Sequence, residues 1–307
     1  MKARKFFIIL LFLLFSNSLV VAETLEIAFV GDILLAGQAG MIMQSTGNLC
    51  YPFEKVKEIL EKADITFGNL ECALTGSIIT RNVRQNNKKW FCFKVPPKYG
   101  QALICAGFDI VSLANNHTMD GGTKGIIETI DTLSKLGIIH VGGGRNFQEA
   151  HTLRIFEIEN FKIGFLAYTA IGGPPATKNQ AGIAKLNENI FNEVATAKEK
   201  VDLLVVSLHW GIEGSTKPTD DQKKIARKLV EAGTDLLIGH HPHVLQPIEK
   251  YKDKLIVYSL GNFVFDNPRP ICCETMILWV EVDKNKNIDH KEILCKIKNA
   301  QPSPSEK

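Results

Sequence analysis

Six short apolar runs in this chain each stop at side chains able to bind a cation or a proton, and this repeated ending constrains the fold more than any single motif. "LEIAFVGD" ends in Asp32, "DITFGNLE" in Asn69 and Glu71, and "FDIVSLANNH" in Asn115, Asn116 and His117. "DLLVVSLHWGIE" ends in His209 with Glu213 just beyond. "DLLIGHHPH" ends in His240, His241 and His243, and "LIVYSLGN" in Asn262. Runs of this length and composition read as buried strands. Open α/β sheets place their active sites outside the carboxyl ends of their strands. A lone Gly-Asp or Gly-Asn after a strand is ordinarily just a turn, but six polar endings at equivalent positions predict one shared site. Imidazoles and carboxylates converging on a point are what divalent transition metals require, so one or two such ions are expected. Manganese, iron or zinc suit mixed nitrogen and oxygen donors better than calcium does. His140, His151 and His290 lack this context and read as ordinary packing or surface residues.

Between the strands the pattern turns helical. Helices are expected around 53–62, over "PPKYGQALICAG", through Ile126, Ile130 and Leu133 up to Gly137, and near 221–231. Two hairpins are expected. One pairs "HTLRIFEIE" with "FKIGFLAYT" across Glu159-Asn160, and the other pairs "ETMILWVEV" with "IDHKEILCKI" across 283–287. "KLIVYSLGNF" reads as one strand. No repeat or low-complexity linker interrupts residues 23–300, so a single α/β domain is predicted, followed by a disordered tail at 301–307.

The first 22 residues stand apart. A basic start (Lys2, Arg4, Lys5), an apolar run from Phe6 to Phe15 and small residues near Ala22 make the layout of a secretory signal peptide. An uncleaved membrane anchor is the alternative, although ten apolar residues fall short of a full span. The expected location is therefore periplasmic or extracellular, or tethered by this one segment. The leader also holds three of the 36 basic residues and none of the 33 acidic ones, which leaves 33 against 33. That balance gives no reason to expect nucleic-acid binding. The basic stretch "RNVRQNNKKW", 81–90, reads as solvated surface, with contact to a polyanion as its functional alternative. Seven cysteines, with no CxxC, leave at least one thiol free, and their pairing is not legible.

The order Asp, Gly-Asn-x-Glu, Asn-His, His, Gly-His-x-x-His resembles the metal motifs of calcineurin-like metallophosphoesterases, which run DxH, GDxxD, GNH(D/E), a lone His and GHxH. Within that superfamily the chain is most similar to the bacterial capsule-synthesis CapA family, associated with poly-γ-glutamate. The similarity lies in "DITFGNLE", "AGFDIVSLANNHTMDGG", "SLHWGIE", "TDLLIGHHPHVLQPIE" and "YSLGNFVF", and it spans about 25–266. It implies a metallo-dependent phosphatase-like, four-layer α/β/β/α sandwich. It also implies Asp32, Glu71, Asn116, His117, His209, His241 and His243 as metal ligands. His117, Asp120 and Asn116 would act on the substrate, with Asn69, Asn115, Glu213, His240 and Asn262 supporting them or meeting it. Two positions depart from the superfamily pattern. Leu34 replaces the histidine of DxH, and Asn69 replaces the bridging aspartate, with Glu71 nearby to act for it.

The function implied is metal-dependent hydrolysis in capsule or cell-envelope polymer metabolism, with an anionic polymer or a phosphoester as substrate. A non-catalytic accessory protein of a membrane polymer synthase or export complex is one alternative. A stand-alone exported phosphoesterase is another, because fold does not determine substrate.

Overall fold

In the computed structural model of the protein, residues 24–77 and 91–305 are described. The expected leader, the 81–90 basic stretch and the last two residues lie outside the described residues. Among the described residues no helix is long and apolar enough to cross a membrane.

Two sheets are stacked face to face. The larger has eight strands, in the order Gln301–Pro304, Ile288–Lys298, Glu274–Val282, Leu25–Ile33, Ile65–Leu70, Ile110–Ser112 and Ile139–Val141, with Asn262–Val264 beside the end of Leu25–Ile33. The smaller has six, ordered Ile248–Tyr251, Lys254–Val257, Leu236–His240, Leu203–His209, Phe161–Thr169 and Arg154–Ile158. Alternation along the strands builds the layers. Ile27, Phe29, Ile65 and Phe67 point between the sheets and meet Phe165, Val205 and Ile238 from the other side. The rings of Phe67 and Phe165 stack at 5.8 Å. The intervening residues Ala28 and Val30 face outward and are covered by Ile126, Ile130 and Leu133 of the Gly122–Lys135 helix. On the far side Val206, Leu208 and Leu237 are covered by the Ile190–Lys198 and Asp220–Ala232 helices. The result is the helix, sheet, sheet, helix layering that the family resemblance implied.

The four inner strands from Leu25–Ile33 to Ile139–Val141 run parallel, as do the four from Phe161–Thr169 to Lys254–Val257. Each set therefore delivers its carboxyl ends to one edge. Both hairpins form as read, with Arg154–Ile158 against Phe161–Thr169 and Glu274–Val282 against Ile288–Lys298.

Three expectations need correction. The helix read at 53–62 is a Tyr51–Phe53 3-10 turn followed by a short helix, Lys57–Leu60. "KLIVYSLGNF" is two strands. Lys254–Val257 belongs to the smaller sheet, and the chain crosses at Tyr258–Gly261 so that Asn262–Val264 joins the larger one. The tail is not disordered over its first residues. Gln301–Pro304 pairs with the end of Ile288–Lys298, and the buried side chain of Gln301 donates to the Tyr51 carbonyl.

The crossing explains two glycines. A Cβ on Gly31 would lie 2.1 Å from the Gly261 carbonyl oxygen, and one on Gly239 would lie 2.0 Å from that of Tyr258. The backbone of the crossover passes against both strands at the residue before Asp32 and before His240. Only glycine leaves it room.

Candidate metal centre

The crossover brings the ends of both sheets together. Asp32, in the Leu25–Ile33 strand, is fully buried and registers opposite Asn69 on one side and Asn262 on the other. Asn69 Nδ2 donates to Asp32 Oδ1 at 2.8 Å and lies 3.3 Å from His209 Nδ1. Asn69 Oδ1 accepts from Asn115 Nδ2 at 3.0 Å, and Asn115 Oδ1 accepts the amides of His117 and Thr118. Asn115 thus ties the loop carrying Asn116 and His117 to the strand carrying Asn69.

His209 ends its strand with Nε2 2.7 Å from Asn116 Oδ1 and 3.8 Å from Glu71 Oε1. His241 and His243 follow the Leu236–His240 strand on a tight turn. Their φ angles, 96° and 58°, lie in the left-handed region that non-glycine residues seldom occupy. That conformation turns both imidazoles back over the sheet ends, with ring centres 4.8 Å apart for His209 and His241. His243 Nδ1 lies 2.8 Å from Asn262 Oδ1 and 3.2 Å from Asp32 Oδ2, and its Nε2 is 3.8 Å from Glu71 Oε1.

Two donor groups result, Glu71 with His209 and His241, and Asp32 with Glu71 and His243. The ligand atoms of each lie within 4.8 Å of one another. Glu71 belongs to both. Asn116 Oδ1, facing His209 Nε2, adds an oxygen to the first group. Six buried side-chain polar atoms lack a hydrogen-bond partner among the described residues, and five are here: both Glu71 oxygens, both His240 ring nitrogens and His241 Nδ1. His240 Nδ1 lies 3.4 Å from Asp32 Oδ1, an ion-pair contact. Each orphaned buried polar atom costs about 1–3 kcal/mol, so the three on Glu71 and His241, which belong to the donor groups, are a large penalty unless a ligand meets them. The donor set fits divalent cations.

Without an ion, the electrostatics divide the donors. Burial, then the charge of Asp32, holds the Glu71 carboxyl well above its usual range. Burial pushes His209 well down, and burial with the nearby His243 pushes His241 down to about 4. Both imidazoles are therefore neutral, the form that binds metal. For His243, burial is outweighed by the Glu71 and Asp32 carboxylates, which raise it to about 10. Asp32 is itself held well below its ordinary value, the partnership of His240 and His243 outweighing its burial.

His117 stands outside both donor groups. Its Nδ1 is 2.8 Å from Asp120 Oδ2, and the same oxygen accepts the Phe93 amide at 2.6 Å. Its ring packs 4.3 Å from that of Phe93. Glu213 is exposed and lies at the rim, 3.6 Å from Arg269. Between rim and donors is a cavity of about 680 Å³, lined by Asn116, His117, His241 and His243 at its floor and by Phe93 and Phe265 on its wall.

Sequence reading missed the aromatic wall, Arg269, and the loop after Phe161–Thr169. That loop brings no ligand but braces two residues of the first group. Thr169 Oγ1 donates to the Ile171 carbonyl and lies 3.2 Å from that of His209. Lys185 Nζ donates to the carbonyls of Ile171 and Gly172. A Cβ on Gly172 would lie 2.6 Å from Asn116 Cβ. The "GGPP" at 172–175 was the available signal, since paired glycines before prolines mark a tight turn.

The sequence matches the family described as bacterial capsule synthesis protein PGA_cap over residues 26–267. It is 34% identical over 251 residues to the capsule biosynthesis protein CapA of Bacillus anthracis, covering 80% of this chain and 60% of that one. It is 31% identical over 289 residues to the PGA biosynthesis protein CapA of Bacillus subtilis (strain 168), covering 93% and 75%. The chain thus spans under two thirds of the first relative's length. A solved NAD nucleotidase of Haemophilus influenzae aligns with a TM-score of 0.49 and 10% identity over 93% of this chain and 60% of that one, a likeness too loose to inform the site.

Proposed function

The chain belongs to the bacterial capsule synthesis protein family, and we propose that within it the protein is a metal-dependent hydrolase acting on an anionic polymer or phosphoester of the cell envelope. The observation that carries this reading is Glu71. It is a fully buried carboxyl with both oxygens unpaired, shared by two groups of imidazole and carboxylate donors. Asp32, Glu71 and His243 would hold one cation, and Glu71, His209, His241 and Asn116 the other.

Bound there, a pair of divalent cations supplies an acidified water and positive charge beside the attacked centre. The chain's own residues do the rest. Asn262 accepts from His243 Nδ1 and so keeps Nε2 aimed at Glu71, the outer hydrogen bond that orients a ligating imidazole. Asp120 holds His117 by Nδ1, which leaves Nε2 to deliver a proton to a leaving group in the cavity. Phe93 and Phe265 keep bulk water off that side. Export through residues 1–22 and work beside a membrane synthase complex belong to the same proposal.

The test is metal content of the purified protein together with hydrolysis of a generic phosphodiester in added manganese. Two bound ions per chain are expected. His209→Ala and Glu71→Gln should each lose at least one ion and lower turnover by about a hundredfold or more. A chain that binds no metal and is indifferent to both substitutions overturns the reading.

One observation favours an accessory role without turnover. Leu34 is buried where a further imidazole would complete the Asp32 group, and this leaves that group with only three protein donors. Binding of polymer by metal-loaded protein, with no hydrolysis of any ester tried, would decide for it.

A further inference from the structure

Apart from its histidines, the cavity has one basic side chain among the described residues, Arg269. Its place is set from inside the metal centre. Asn262, which orients His243, donates through Nδ2 to the Cys272 carbonyl at 3.0 Å, and the Cys272 amide donates to the Arg269 carbonyl at 2.9 Å. Pro268 and Pro270 flank the residue and restrict the backbone on either side. Asn267 Oδ1 accepts from the Arg269 amide at 3.1 Å. The root of Arg269 is therefore held at a set distance from the donors, three hydrogen bonds away from His243.

Its head is only loosely held: Nε donates to Asn267 Oδ1 at the long distance of 3.5 Å, which leaves both Nη groups for another acceptor. Nη2 lies 3.6 Å from Glu213 Oε1, beyond hydrogen-bonding range, and the two side chains are 47% and 61% exposed. Such a pair exchanges readily for a better acceptor. Gly214 keeps the space clear, because a Cβ there would lie 2.7 Å from Arg269 Nη1. Asp266 and Glu213 put negative charge beside it on the rim, so among the described rim residues Arg269 is the one that favours an entering anion. The apolar lining of the same cavity includes Phe93, Phe265 and Leu34, with the Phe265 ring 4.8 Å from that of His243.

We propose that Arg269 is the specificity residue of this site, taking a substrate carboxylate in its guanidinium fork while the reacting group lies at the donor end, with Glu213 as the placeholder that the carboxylate displaces. The ligand class is a substrate that carries a carboxylate outside its reacting group, with apolar atoms to lie against Phe93 and Phe265. This rests on the metal-centre reading for the chemistry, but not for the binding itself.

The test is calorimetric binding of a hexamer of γ-linked glutamate to manganese-loaded full-length protein, beside the same hexamer with its carboxylates converted to amides. Wild type should prefer the acid form. Arg269→Gln should weaken its binding about tenfold, and Arg269→Lys should restore only part of the loss, since an ammonium cannot make the forked pair. Glu213→Gln should tighten binding two- to threefold, by removal of the competing carboxylate. Equal affinity of wild type and Arg269→Gln for the acid hexamer overturns the proposal, as does wild-type binding that ignores the carboxylates. Metal content measured on the same samples separates the two readings. Cation loss with Arg269-dependent binding intact is a failure of the metal centre, not of Arg269.

Discussion

Glu71 and His140 show how differently burial acts on single residues. Both lie deep in the larger sheet. Glu71 has no hydrogen-bond partner among the described residues and only imidazoles at 3.8 Å beside it, whereas His140 is held by Arg154. Arg154 Nε donates to its carbonyl and Nη2 approaches its Nε2 at 3.3 Å, with Glu149 at 3.6 Å. Burial, reinforced by the Arg154 charge, lowers His140 from 6.5 to about 4. The unfolded chain therefore binds a proton that the native protein refuses. The stabilisation is complete above about pH 6.5 and is lost as pH falls through about 4, up to roughly 3 kcal/mol. His140→Gln keeps an acceptor for Arg154 and removes the titration. Urea unfolding at pH 7.5 and 4.5 should show wild type losing about 2–3 kcal/mol more than the variant between the two. His140 was rightly left out of the site from sequence, because its strand, Ile139–Val141, runs on into glycines with no carboxylate or amide at its end.

At the scale of elements, the strand endings were legible because a buried parallel strand is a continuous apolar run, and a polar residue closing it stands out. What sequence could not show was which neighbours those endings meet. The single run "KLIVYSLGNF" divides between two sheets because Gly261, at φ 66°, lets the chain turn from one to the other, and local propensity is the same on both sides of the turn. The Gly172 loop was missed for a related reason: it contributes by shape, not by a ligand. Placing a Cβ at Gly172, itself at φ 50°, strains the backbone and pushes on Asn116. Gly172→Ala should cost about 1–3 kcal/mol in chemical denaturation. It should also weaken manganese binding at the His209 and His241 group about tenfold in a calorimetric titration, with the Asp32 and His243 group less affected.

The whole molecule is held by three packed interfaces and one covalent link. Cys50, at the start of the Tyr51–Phe53 turn, is bonded to Cys105, the last residue of the Gln101–Cys105 helix, across 55 residues of sequence. The bridge ties together the outer helical layer that covers the larger sheet. Closing a loop of this length restricts the unfolded chain, and Cys50→Ser with Cys105→Ser should lower stability by about 2–4 kcal/mol in guanidinium titrations under non-reducing conditions. Such a deficit confined to the non-reducing condition is the expected signature; equal stability of both proteins there would mean that the link contributes nothing.

Composition and order along the chain by themselves determined an α/β domain and the residue types at the ends of its strands, because apolar periodicity and strand length are local properties; the layering was implied only by the family resemblance. They also determined that the ends carry donors for a cation. Only the tertiary structure decided the grouping. The crossover at Tyr258–Gly261 and the left-handed turn at His241 and His243 bring two sheets' ends together, so that Glu71 faces imidazoles more than 130 residues away in sequence. His241 rather than His240 meets Glu71 because that turn reverses its side chain, whereas His240 still follows the strand into the core beside Phe67. Such relations depend on distances across the sandwich, and no window of sequence contains them.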